Sequence, residues 1–132
     1  MSTIRLWKDK SREQLDPLLF SGTAEKLARE IGEEGGRNKN KNSQLRRYFD
    51  EIVRLNDLAL QGDGDQMKYQ ILPQVHMLIA KVVYAQGRNL VTHSFVKMMK
   101  QGIEQVHDSK DLRVFTSFLE SFMGFYKIYG PK

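Results

Sequence analysis

Apolar residues recur along this chain at helical spacing, and strand-like alternation is scarce. The clearest stripe is Leu45, Phe49 and Ile52, widened by Tyr48, Val53, Leu55 and Leu58. Arg46, Arg47, Asp50, Glu51, Arg54 and Asp57 take the opposite face. Ser43 is placed to cap this helix, which runs to about Gln61 and ends at Gly62-Asp63-Gly64. Upstream, Asp16-Pro17 is a helix-start signal. Ser21 or Thr23 is placed to cap a helix to about Ile31, carrying Leu27 and Ile31 at i, i+4, with Gly32 as its stop. A third helix follows Asp65 and runs to about Gln86, with Val75, Leu78, Ile79, Val82 and Val83 as its apolar face and Gly87 as its terminator. Pro73 falls inside it, which predicts a kink or a restart. A fourth spans about Thr92 to Val106, with Phe95, Met99, Ile103 and Val106 on one face. The fifth spans about Lys110 to Tyr129. Leu112, Phe115, Leu119, Phe122, Tyr126 and Tyr129 make one stripe; Val114, Phe118 and Phe125 make a second. A helix apolar on two faces is nearly central in its fold.

The expected architecture is therefore all-α: one compact bundle of about five helices over residues 1–132, the third kinked or restarted near Pro73. Residues 32–42 (GEEGGRNKNKN) bury too little to order themselves and read as a flexible basic loop. No internal repeat is visible.

Charge placement refines this picture. The 132 residues carry a formal net charge of +5. Residues 1–35 hold 6 Lys/Arg against 7 Asp/Glu, and residues 36–100 hold 11 against 5. Between Asp65 and Glu104 there is no carboxylate, while Lys68, Lys81, Arg88, Lys97 and Lys100 all fall there. Such a surface attracts polyanions. Arg47 and Arg54 are seven apart and share a helix face, as do Lys81 and Arg88, with Tyr84 between them. The competing reading for the second helix is a solvated face, laced by the i, i+4 pairs Arg46–Asp50, Asp50–Arg54 and Arg47–Glu51. The Arg37–Asn42 loop, with Lys39 and Lys41, is a flexible basic arm or a plain linker.

No catalytic constellation is legible. The chain has no Cys, which excludes disulfides, thiolate metal sites and a Cys nucleophile. His76, His93 and His107 lack metal-ligand spacing; His76, beside the Val75–Ile79 stripe, is expected half-buried and hydrogen-bonded. Asp63-Gly64-Asp65 opens like a calcium loop, but Pro73 and Gln74 stand where that loop cannot take them. The carboxylate pairs Glu33-Glu34 and Asp50-Glu51 fall in a loop and on a solvated face. No cofactor, metal or catalytic residue is expected. No secretory signal or bilayer-length apolar run is visible, which suits a cytoplasmic protein. Most aromatics sit on core stripes, and no stacking platform is legible, so backbone contact without base readout is the expected mode of any RNA binding.

Three segments carry a family resemblance. Ser43-Gln44-Leu45-Arg46-Arg47-Tyr48-Phe49, after its basic loop, resembles the opening of the principal helix in the small subunit of type III-A CRISPR interference complexes, the Csm type. Tyr84-Ala85-Gln86-Gly87-Arg88 looks like that family's third-helix terminus, and Phe115 to Tyr129 like its final helix. Together they span about residues 38–130. The resemblance implies a helical bundle without catalytic activity. Its copies would stack head to tail as a filament along the crRNA and target RNA, touching RNA by its backbone beside other subunits. Within the matched motifs Arg46, Arg47, Arg54, Lys81 and Arg88 are the RNA-facing candidates. Arg46 and Arg88 match best; Arg54 and Lys81 rest more on the face argument. Residues 1–30, Trp7 included, carry no match. The type III-B small subunit, a helix-turn-helix DNA regulator and a protein-only helical adaptor stand as alternatives.

Overall fold

The computed structural model describes residues 3–131. Its architecture is all-helical: α1 (Ala24–Gly35), α2 (Asn42–Gln61), α3 (Leu72–Gly87), α4 (His93–Glu104) and α5 (Ser109–Tyr129). Among the described residues the only β pairing is an isolated bridge between Asp9 and Gln14.

α5 is the axis of the bundle, as its two apolar faces predict. Leu112, Phe115, Phe118 and Leu119 are buried on it, with Phe122 and Tyr126, and α1 and α2 both pack along it. α4 packs on α3. One continuous core joins residues from every helix.

Near Pro73 the third helix is built of joined pieces, which agrees with the expected kink. A wide turn at Met67–Ile71 precedes the proline, closed by the i→i+5 bond from the Leu72 N–H to the Met67 carbonyl. Pro73 then falls in the first turn of α3, where its missing N–H costs little and the widened turn keeps the preceding carbonyl away from its ring.

Several expected boundaries shift. Neither Ser21 nor Thr23 caps the first helix; a wide turn at Leu19–Thr23 leads into α1, and Thr23 makes no side-chain cap bond. Gly32 does not stop α1, which continues to Gly35 and ends at Gly36 with φ of 60°. Gly32 instead lies against the Tyr129 carbonyl, where a Cβ would collide with backbone. Its want of a side chain thus serves helix crossing, not chain reversal. Glu33 and Glu34 accordingly close a helix rather than sit in a loop. α2 begins at Asn42, and Ser43 lies inside it without capping. His76 is exposed rather than half-buried. Met67, Met98, Met99 and Met123 are buried, whereas Met77 stands out on α3.

The N-terminal segment docks on the helix that needs it. Ile4 and Leu6 are buried. Trp7 donates its Nε1–H to Asp111 Oδ1 at 2.8 Å. Lys10 bridges Asp108 at 2.7 Å and Asp111 at 2.9 Å. Asp108 is the N-cap of α5, accepting from the Asp111 N–H. The role of Trp7, open in the sequence, is thus an anchor at the start of the central helix.

Candidate nucleic-acid interface

α2 and α3 lie side by side, and the groove between them gathers a subset of the predicted cations. Gln44, Arg47, Tyr48 and Glu51 line it from α2. Leu78, Lys81, Tyr84 and Ala85 line it from α3, with Arg88 and Leu90 at its end. Its volume is about 420 Å³. Tyr48, Leu78 and Ala85 are buried and make an apolar floor. Arg47, Lys81 and Arg88 are exposed on its margins. The convergence follows from periodicity: Arg47 and Glu51 are one turn apart on α2, and Lys81 and Tyr84 are one turn apart on α3, with Arg88 just past its last turn.

Electrostatics separate the seven candidates. Among the described residues Arg47, Lys81 and Arg88 enter no salt bridge, nor do Lys39, Lys41 and Arg46. Arg54 is the exception. Its guanidinium binds Glu51 bidentately, at 2.7 and 3.0 Å, and also donates to Gln74. That hydrogen bond, more than Lys81's longer-range charge, holds the Glu51 carboxyl below the usual range against the opposing effect of burial. None of the three expected i, i+4 pairs forms; the pair on α2 is Glu51–Arg54 at i, i+3. Arg46, one residue from Arg47, is turned about 100° around the helix and stays exposed outside the groove.

The basic loop lies against the groove's far end. Asn40 is fully buried with φ of 54°. Its Nδ2 donates to the Ile31 carbonyl at 3.0 Å and to Thr92 Oγ1 at 2.8 Å, and its Oδ1 accepts from the Thr92 N–H at 2.9 Å. Its backbone N–H donates to the Leu90 carbonyl at 3.0 Å, and its carbonyl accepts from the Tyr126 hydroxyl. Lys39 and Lys41 flank this residue in sequence, but neither lines the groove, whose end is made by Arg88 and Leu90. The loop is also shorter than 32–42, since α1 takes residues to Gly35 and α2 begins at Asn42.

Two contributors escaped the sequence. Asn40 looks like one of several polar loop residues, and nothing local marks it for burial. Tyr84 was legible between Lys81 and Arg88, but its exposure was not: it is 65% exposed, with the Arg88 guanidinium 5.9 Å from its ring centre. Elsewhere among the described residues, no three His, Asp or Glu side chains gather as a metal site, and no helix is long and apolar enough to cross a membrane.

Comparison with known proteins agrees with the resemblance in α2, α3 and α5. The model of the family Csm2 Type III-A matches residues 21–132. No curated protein and no solved structure matches the chain. With the match covering nearly the whole length, the chain belongs to the Csm2 Type III-A family, the small subunit of the type III-A CRISPR complex.

Proposed function

We propose that this Csm2 Type III-A family member is a non-catalytic cytoplasmic subunit that grips the sugar-phosphate backbone of crRNA and target RNA without sequence preference. Copies repeat along the RNA as a filament beside the other subunits of the complex. One observation carries the reading: Arg47, Lys81 and Arg88 converge on one open groove and none of them enters a salt bridge, while the groove's one carboxylate, Glu51, is bound to Arg54. Lys39 and Lys41 extend the same positive edge through the Asn40–Leu90 contact. Arg46 adds charge on the adjoining face of α2, while Arg54 contributes least, being already bound to Glu51.

The mechanism is electrostatic. Each cation that meets a phosphate releases a condensed counterion, so affinity falls steeply with salt. About three contacts on a single strand correspond to a log–log salt slope near −2, at roughly 0.7 per contact. One copy therefore binds weakly, and repetition along one RNA supplies avidity. Met77 and Val83, exposed on α3, offer apolar surface for contact between subunits.

Binding of a labelled RNA across a salt series tests the proposal. The Arg47→Glu, Arg88→Glu double variant is expected to lose most affinity and to flatten the slope by about 1.4, two contacts' worth. Unchanged affinity and slope would end it.

A further inference from the structure

The α2–α3 groove holds more than a phosphate site requires. A phosphate needs cations and donors; it has no use for an apolar floor or an aromatic wall. This groove has both, in Tyr48, Leu78 and Ala85 below and Tyr84 at the side. We propose that it is a site for one unpaired nucleotide, whose base leaves the stack to lie on the Tyr84 ring while its phosphate meets Arg47, Lys81 and Arg88. The inference rests on the backbone-binding reading above and names the form of RNA the groove takes.

Four features support it. Tyr84 projects from the helix with most of its ring open, although it is large and apolar enough to be buried elsewhere. The Arg88 guanidinium lies over one face of that ring, 5.9 Å from its centre, so a cation adjoins the ring as phosphate adjoins base within one nucleotide, and the opposite face is the one for a base. Polar groups are at hand for a base edge: Gln44 donates to the Tyr48 hydroxyl at 2.8 Å, leaving that hydroxyl's own proton for an acceptor. The volume, about 420 Å³, lies in the range of small-ligand sites. A base inside a duplex cannot reach Tyr84, because it is already paired and stacked; single strands and extruded nucleotides can. Every base has a π-face, so stacking adds affinity without sequence preference.

The test compares the full chain with Tyr84→Ala and Tyr84→Trp, using an oligouridylate and a blunt RNA duplex of equal length. A third probe is a single strand carrying 2-aminopurine, whose fluorescence reports stacking. Tyr84 is exposed, so folding of the variants is expected to be unchanged, with circular dichroism as the check. The expected result is a loss of roughly tenfold on the single strand for Tyr84→Ala, within the range for one stacked base, and no loss on the duplex. Tyr84→Trp should retain the affinity, and 2-aminopurine should quench with the parent chain and not with Tyr84→Ala. Equal effects of Tyr84→Ala on both RNAs, or no quenching by the parent chain, overturn the stacking site while leaving backbone binding intact. If the parent chain binds neither RNA, both readings fall.

Discussion

Asn40→Ala is the most informative single change, because it tests whether one loop residue ties α1, α5 and the α3–α4 connection together. Three side-chain hydrogen bonds vanish with it: two donated by Nδ2 and one accepted by Oδ1. The Thr92 N–H is left without its partner in a buried place, at roughly 1–3 kcal/mol, while the Ile31 carbonyl loses its second donor but keeps its bond within α1. Asn40 also holds φ of 54°, a left-handed conformation that Asn tolerates and that costs alanine roughly 1–2 kcal/mol. Together the two terms come to about 2–5 kcal/mol, a large part of the ~5–15 kcal/mol that stabilises a typical domain. Asn40→Gly strands the same group but relieves the backbone, so it should fall short of alanine's loss by about 1 kcal/mol. Urea denaturation followed by circular dichroism measures this. Midpoints should rank parent, then glycine, then alanine, with an unchanged slope. A loss under about 1 kcal/mol for alanine, or alanine more stable than glycine, would refute the argument that Asn40 is the tie.

Two further outcomes follow from the packing. Trp7 is the chain's one tryptophan, and it reports on the Lys10–Asp108–Asp111 cluster. Burial pushes the Asp108 carboxyl upward, but the Lys10 ammonium and the Asp111 N–H outweigh it and bring it below its ordinary value. A carboxyl lowered in the folded state contributes stability that is present above its unfolded value, near pH 4, and lost as pH falls through the folded one. Trp7 emission should therefore hold steady from neutrality to about pH 4 and shift red below it, whereas Asp111→Ala should shift it red already at neutral pH; emission insensitive to both would show that Trp7 is not anchored there. Gly32→Ala drives a methyl into the Tyr129 carbonyl and should destabilise by about 1–3 kcal/mol, while Gly124→Ala, with open space around it, should gain roughly 1 kcal/mol in mid-helix. Thermal melts that rank the two variants the other way would contradict the close α1–α5 crossing.

Much of the architecture was legible because helical periodicity and burial are one statement made twice. The double stripe of α5 announced a central helix, and Pro73 announced a break in helical regularity, since a ring without an N–H removes an i→i−4 bond and crowds the preceding turn. The groove was partly legible. Arg47 with Arg54 on α2, and Lys81 with Arg88 at the end of α3, share faces by spacing alone, yet nothing in the spacing says that those two faces adjoin. Arg54 met the same face criterion as Arg47 and was taken by Glu51, a choice between rotamers that a one-dimensional pattern does not contain.

The glycines and the basic loop show the remaining division. Gly32 and Gly36 are alike as letters; tertiary contact made the first a crossing point against Tyr129 and the second the end of α1. The loop's composition spoke for solvation, but Asn40 found partners in Ile31, Leu90, Thr92 and Tyr126. By itself the sequence determined the helices, their apolar faces and the positive character of the middle of the chain, because each depends on neighbours a few residues away. Only the tertiary structure decided which cations remain unpaired, which tyrosine stays uncovered and which loop residue is buried, because each depends on groups brought together from distant parts of the chain.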